Sequence, residues 1–220
     1  MAQPTWLSLT NDVLKLLRET TVASVSTTSY SSLIGLFVNE AKEEVEDAWN
    51  WSALRDDIDM AMVIGQRNYT LTGSSYRTKI LSVYNTTSKW RMNFWQNNQY
   101  LNNLISLTTA ASSSPYDLDI VGSDGTTGSL IFRVNPLPTA TDNLRFFTVN
   151  PTAEFDADAD TLAIPKRPVI QLAYLKAINE RGEDSGRASE IQEKIYKNTL
   201  ATAIAQDAAF FEDETTWRAV

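Results

Sequence analysis

Apolar residues recur at helical spacing towards both ends of this chain and alternate through its middle. Leu9, Val13, Leu16 and Leu17 predict an amphipathic helix from about Ser8 to Glu19. A Ser/Thr-rich connection, Thr20–Ser32, leads to a second helix. Its stripe is Leu33, Phe37, Ala41, Val45 and Ala48, it runs to about Trp49, and Ser29, Ser31 or Ser32 is placed to cap it. Beyond Leu54 the period changes. Ile58, Met60 and Met62 alternate with Asp57, Asp59 and Ala61, as in a half-buried strand. Asn68–Leu71 and Lys79–Tyr84 are further strands across the turn-rich Thr72–Ser75, Trp90–Trp95 is another, and Gln96–Leu107 is a short helix. Tyr116–Val121 and Ser129–Val134 flank the loop Gly122–Gly128 as a hairpin, and Leu144–Val149 is the last strand before the acidic loop Glu154–Asp160. Two helices follow. One begins near Pro165 or Pro168 and stops at Arg181-Gly182; the other begins near Asp184 and carries Ile191, Ile195, Thr199, Thr202, Ala205 and Ala208.

This order predicts an α+β fold, a four-helix bundle formed by the N- and C-terminal helix pairs with an inserted antiparallel β lobe. The expected boundaries are 1–52 with 164–210 for the bundle, 53–163 for the β-rich insertion and 211–220 for an extended tail. The junction Trp49-Asn50-Trp51 marks the change of period. Two indoles two residues apart cannot share a helix face, so both are expected to be buried at the junction with their N–H groups partnered.

Composition narrows the chemistry. With no cysteine and no histidine among 220 residues, disulfides, thiolate metal sites and histidine-based triads are excluded. Any catalysis would rest on carboxylates, Lys, Tyr, Ser or Thr, and neither a cofactor nor a metal is expected. Met1–Leu17 lacks the pattern of a signal peptide, and no run approaches the roughly 20 apolar residues of a membrane span. A soluble chain made in the cytoplasm is the expectation. The net charge is −8, but Met60–Tyr116 contains no acid and holds Arg67, Arg77, Lys79, Lys89 and Arg91. The chain thus reads as an acidic helical part and a basic, strand-rich part.

Three acidic groups invite chemistry. Asp156, Asp158 and Asp160 alternate like a calcium loop, but Thr161 and Arg167 stand where that loop needs glycine and glutamate, so a solvated loop is favoured. Asp56, Asp57 and Asp59 beside Trp51 allow an alternative reading as a carboxylate-based cell-wall glycosidase. The six tryptophans and eight tyrosines allow another, a carbohydrate- or receptor-binding tail module. Glu40, Glu43, Glu44, Glu46 and Asp47 crowd the C-terminal half of the second helix. There the helix dipole opposes them, and each like-charge i,i+4 pair costs about 0.2–0.5 kcal/mol. An acidic face kept at such a cost suits a basic partner surface or a passage that repels an anion.

Trp49-Asn50-Trp51-Ser52-Ala53-Leu54, then Gly65-Gln66-Arg67-Asn68-Tyr69-Thr70-Leu71, Thr78–Val83, and the closing Ile164-Pro165-Lys166-Arg167-Pro168 with Leu172-Ala173-Tyr174 resemble, in that order, the head-to-tail adaptors of short-tailed bacteriophages, the tail tubular protein A family. Thr72-Gly73 stand where the family usually has a proline after the leucine. The resemblance covers most of the chain. It implies a non-enzymatic virion protein in a ring of about twelve copies. Such a ring lies beneath the portal protein, joins it to the tail nozzle, and lets double-stranded DNA pass without sequence-specific binding. Under that implication Glu40–Asp47 are candidates to line the lumen. The basic residues from Arg67 to Arg91 would face a neighbouring subunit, and the tail residues Phe210, Phe211, Trp217 and Arg218 would anchor in a portal groove.

Overall fold

The computed structural model describes residues 3–95, 98–107, 112–182 and 187–209. The chain divides into two compact units, one of Met1–Leu54 with Thr152–Val220 and one of Arg55–Pro151.

In the first unit, α1 (Trp6–Leu16) starts where the Thr5 hydroxyl accepts the Ser8 N–H, and α2 (Ser29–Ala48) starts at a reciprocal capping box between Thr28 and Ser31. A 3-10 turn, Val25–Thr27, fills the Ser/Thr-rich connection. After the sheet-bearing segment come α4 (Lys166–Arg181) and α5 (Arg187–Ala208). Gly182 ends α4 with φ +64°, a left-handed conformation that suits glycine. Leu9, Val13, Ile34, Val38, Val45, Val169 and Ala173 build the core where α1, α2 and α4 pack on one another.

The expected four-helix bundle does not form. α5 packs mainly on α4, and its Ile191 and Ile195 remain 54% and 43% exposed. Its stripe continues as Thr199, Thr202 and Ala205, whose small or polar side chains offer too little apolar area to close a fourth side.

Nor is the inserted lobe wholly antiparallel. It holds two four-stranded sheets, ordered β1-β8-β3-β4 and β2-β7-β6-β5. The strands are β1 (Arg55–Ala61), β2 (Asn68–Thr70), β3 (Lys79–Asn85), β4 (Trp90–Arg91), β5 (Asn93–Trp95), β6 (Asp117–Ser123), β7 (Leu130–Asn135) and β8 (Asn143–Val149). Trp90–Trp95 is two strands, because the buried Met92 carries the chain from one sheet to the other. β5 then pairs parallel to β6, with α3 (Asn98–Leu107) as the crossover that a parallel pair requires. The sheets bury Leu71, Val83, Phe132, Val134, Leu144 and Phe146 in a shared core. Tyr69 stacks on Phe132 at 5.4 Å, and Phe132 lies 4.8 Å from Phe146.

Candidate interaction surfaces

The acidic helix α2 has two sides with different roles. Asn39, Lys42 and Glu46 lie on the face that receives the chain as it returns from the sheets. Asn39 brackets Phe155, donating to its carbonyl and accepting its N–H, each at 3.0 Å. The Lys42 ammonium is fully buried, donates to the carbonyls of Thr152 (3.1 Å) and Ala153, and sits 4.8 Å over the Phe155 ring. Glu46 is equally buried, 3.8 Å from that ammonium, and its carboxylate accepts the Thr152 hydroxyl at 2.6 Å. Glu46 therefore leaves the set of lumen-facing candidates: its charge is spent inside the unit. Sequence periodicity missed this because two charged side chains occupy the inward face, satisfied by a segment more than a hundred residues away.

On the outer side, Lys176 of α4 reaches Glu40 at 2.9 Å and Glu44 at 2.6 Å. Burial pushes the Lys176 pKa down, but the hydrogen bonds to Glu44 and Glu40 outweigh it and hold the ammonium above its ordinary value. Glu43 is half-buried and Asp47 exposed. Lys176 thus bridges two of the carboxylates on this side, Glu40 and Glu44.

The junction tryptophans are both engaged. Trp51 is fully buried and donates to the Val45 carbonyl at 2.7 Å. Trp49 donates to Asp207 of α5 at 3.0 Å, and the same carboxylate accepts the Ser52 N–H and hydroxyl. Asp207 is a structural residue that nothing in the local sequence announces.

The acidic loop acts as a latch. The carbonyls of Asp160 and Asp158 accept the Trp6 and Leu7 N–H groups, which the first turn of α1 cannot satisfy itself. The Asp158 carboxylate takes the Val25 N–H at 3.0 Å. The Asp160 carboxylate turns back on its own loop, accepting the N–H groups of Ala157 and Asp156, which hold it below the usual carboxylate range. Among the described residues no group of three or more acids is placed to hold a metal ion.

In the sheet unit, Asp59 is gripped by Arg145 through two hydrogen bonds of 2.7 Å, and that grip lowers its pKa. A glycosidase acid needs the opposite shift. The 420 Å3 depression beside Asp59 includes neither Asp56 nor Asp57 in its walls, so no carboxylate pair faces across it. The glycosidase reading finds no support in these three residues. A pair missed by sequence, the half-buried Arg133 with the buried Asp119, ties β7 to β6 at 2.7 and 2.5 Å. Asp117 binds the Asn93 amide and the Trp95 indole, which accounts for one of the tryptophans.

The five basic candidates separate. Arg67, Arg77 and Lys79 are half-buried, whereas Lys89 and Arg91 are exposed in and after the turn that leads into β4. The tail candidates Phe210, Phe211, Trp217 and Arg218 lie outside the described residues. Among the described residues no helix is long and apolar enough to cross a membrane. No family model and no curated protein matches this chain.

Proposed function

We propose that this chain is a structural virion protein, a ring-forming adaptor that links the portal of a short-tailed bacteriophage to its tail nozzle and forms part of the DNA channel. The observation that carries the reading is the splice. Helices from both ends of the chain share one unit, and the whole of Arg55–Pro151 is interposed as a second unit between α2 and the returning Thr152. This agrees with the order of motifs that resembles the adaptor family.

Two further features favour it. α5 leaves Ile191 and Ile195 exposed, an apolar stripe suited to a neighbouring subunit. Glu40, Glu43, Glu44 and Asp47 share one side of α2, a run of acids suited to a passage through which duplex DNA slides, because Lys and Arg contacts to phosphate are what hold DNA to protein. The tail 211–220, with its aromatic residues, is the proposed portal anchor, and the protein resides at the head–tail connection of the virion.

The test is negative-stain imaging and native mass spectrometry of the full chain mixed with portal rings. A stacked ring of defined copy number supports the proposal, and loss of docking on deletion of 211–220 supports the anchor. A chain that stays monomeric and leaves the portal unchanged overturns it.

A further inference from the structure

The sheet β1-β8-β3-β4 ends in two edges of opposite charge. At one edge, β1 opens with Arg55, which has an interaction of its own, and then presents Asp56, Asp57 and Asp59, all exposed. Asp59 is held by Arg145, and Asp56 accepts the N–H of its neighbour Asp57. The Asp57 carboxylate has no ion-pair partner among the described residues. At the other edge, Arg91 lies in β4 and Lys89 in the turn before it. Both are exposed, and neither holds an ion pair among the described residues.

That second edge is also only partly covered by strands among the described residues. β4 covers β3 only at Tyr84 and Asn85 before Met92 takes the chain to the other sheet. The run from Lys79 to Ser82 has β8 on one side and no strand on the other among the described residues. A groove of 570 Å3 lies here, walled by Leu81–Val83 and Arg91–Trp95, and Leu81 at a bulge in β3 is 38% exposed. Natural proteins usually cover or charge such an edge to stop it pairing at random.

From these observations we infer that copies of this chain join edge to edge, the acidic β1 edge of one seated against the basic β3–β4 edge of the next. The inference rests on the ring-forming reading and names its contact. Charge decides the pairing. Two β1 edges would oppose carboxylate to carboxylate, and two β4 edges cation to cation, so both symmetric pairings are penalised. The acid-to-base pairing, Asp57 towards Lys89 and Arg91, is the one that charge favours. Because the two surfaces differ, the contact is head-to-tail, and repeating it either closes a ring or grows a helix. The sheet unit as a whole carries eight arginines and lysines against seven aspartates, so the polarity lies in where the charges sit and not in their sum.

The absence of cysteine provides the test. Full chains carrying Asp57→Cys or Arg91→Cys are mixed and treated with a flexible bismaleimide. The inference expects covalent dimers containing one of each, well above the yield from either variant alone. Arg91→Glu should weaken self-assembly about tenfold, and the charge swap Asp57→Lys with Arg91→Glu should restore most of it. Absence of the mixed product, dominance of like-with-like dimers, or an Arg91→Glu chain that assembles normally overturns the edge contact. If rings form on the portal while the mixed product is absent, the contact is wrong and the adaptor reading stands. If mixed dimers form but the chain ignores portals, the contact stands and the adaptor reading falls.

Discussion

Replacing Lys42 with methionine tests the buried cluster that receives the chain at Thr152–Phe155. The substitution keeps the volume of the side chain and removes its charge. It orphans the carbonyls of Thr152 and Ala153 and takes away the cation over the Phe155 ring. Most of the cost lies with Glu46, which is 1% exposed and would keep its buried charge without the ammonium 3.8 Å away. Breaking one partner of a buried ion pair costs about 3–5 kcal/mol, whereas replacing both with well-packed neutral groups is often close to neutral. Lys42→Met should therefore lower the melting temperature of the helical unit by about 10 °C or more. The loss is read by circular dichroism together with the emission of the buried Trp51. Adding Glu46→Gln removes the stranded charge while leaving an acceptor for Thr152. The double variant should recover about 1–2 kcal/mol relative to Lys42→Met alone, a non-additivity that only coupled residues produce. A cost below about 1 kcal/mol for Lys42→Met, or strictly additive variants, would refute the reasoning.

Three other perturbations probe separate parts of the molecule. Gly35→Ala places a methyl group 2.4 Å from Val25 Cγ1 and 3.0 Å from the Trp6 ring, and thermal denaturation should report a loss of about 1–3 kcal/mol. Trp51→Phe leaves the buried Val45 carbonyl without its indole partner, which denaturant titration should register as about 1–3 kcal/mol. For Asp160, the two backbone N–H groups depress the folded-state pKa, so its stabilisation is complete above the ordinary aspartate value, near about pH 4, and is lost as pH falls through the folded value. The stability gap between the natural chain and Asp160→Ala should thus be constant near neutrality and close in acid, and a gap that widens in acid would contradict it.

Secondary structure was legible wherever apolar spacing repeated, and less so wherever distant residues decided the outcome. The 3.6-residue stripe placed α2, but its buried face is Ile34, Val38, Ala41 and Val45 rather than one through Leu33, Phe37 and Ala48. The shift follows from Lys42 and Glu46, which turn inward because Thr152–Phe155 supplies their partners. The same pair explains why the acid cluster was only partly a surface. Alternation found β1, β3, β6, β7 and β8, yet could not show that Met92 divides Trp90–Trp95 between two sheets, since one buried methionine looks like any other strand residue. The weak stripe of α5 was visible in Thr199 and Thr202; its consequence, a fourth helix that does not close the bundle, depends on area and not on period. Of the candidate surface residues, the exposure of Lys89 and Arg91 and the half-burial of Arg67 could not be separated by composition.

The clasp of Asn39, Lys42 and Glu46 on residues 152–155 has a consequence for biogenesis. A ribosome must translate the entire sheet-bearing stretch before α2 meets the groups that neutralise its inward charges, so the N-terminal helices wait, incomplete, while Arg55–Pro151 matures. Contacts this distant along the chain make for slow closure. The sheets should therefore acquire their native hydrogen bonds first during synthesis, and the helical unit should lock last.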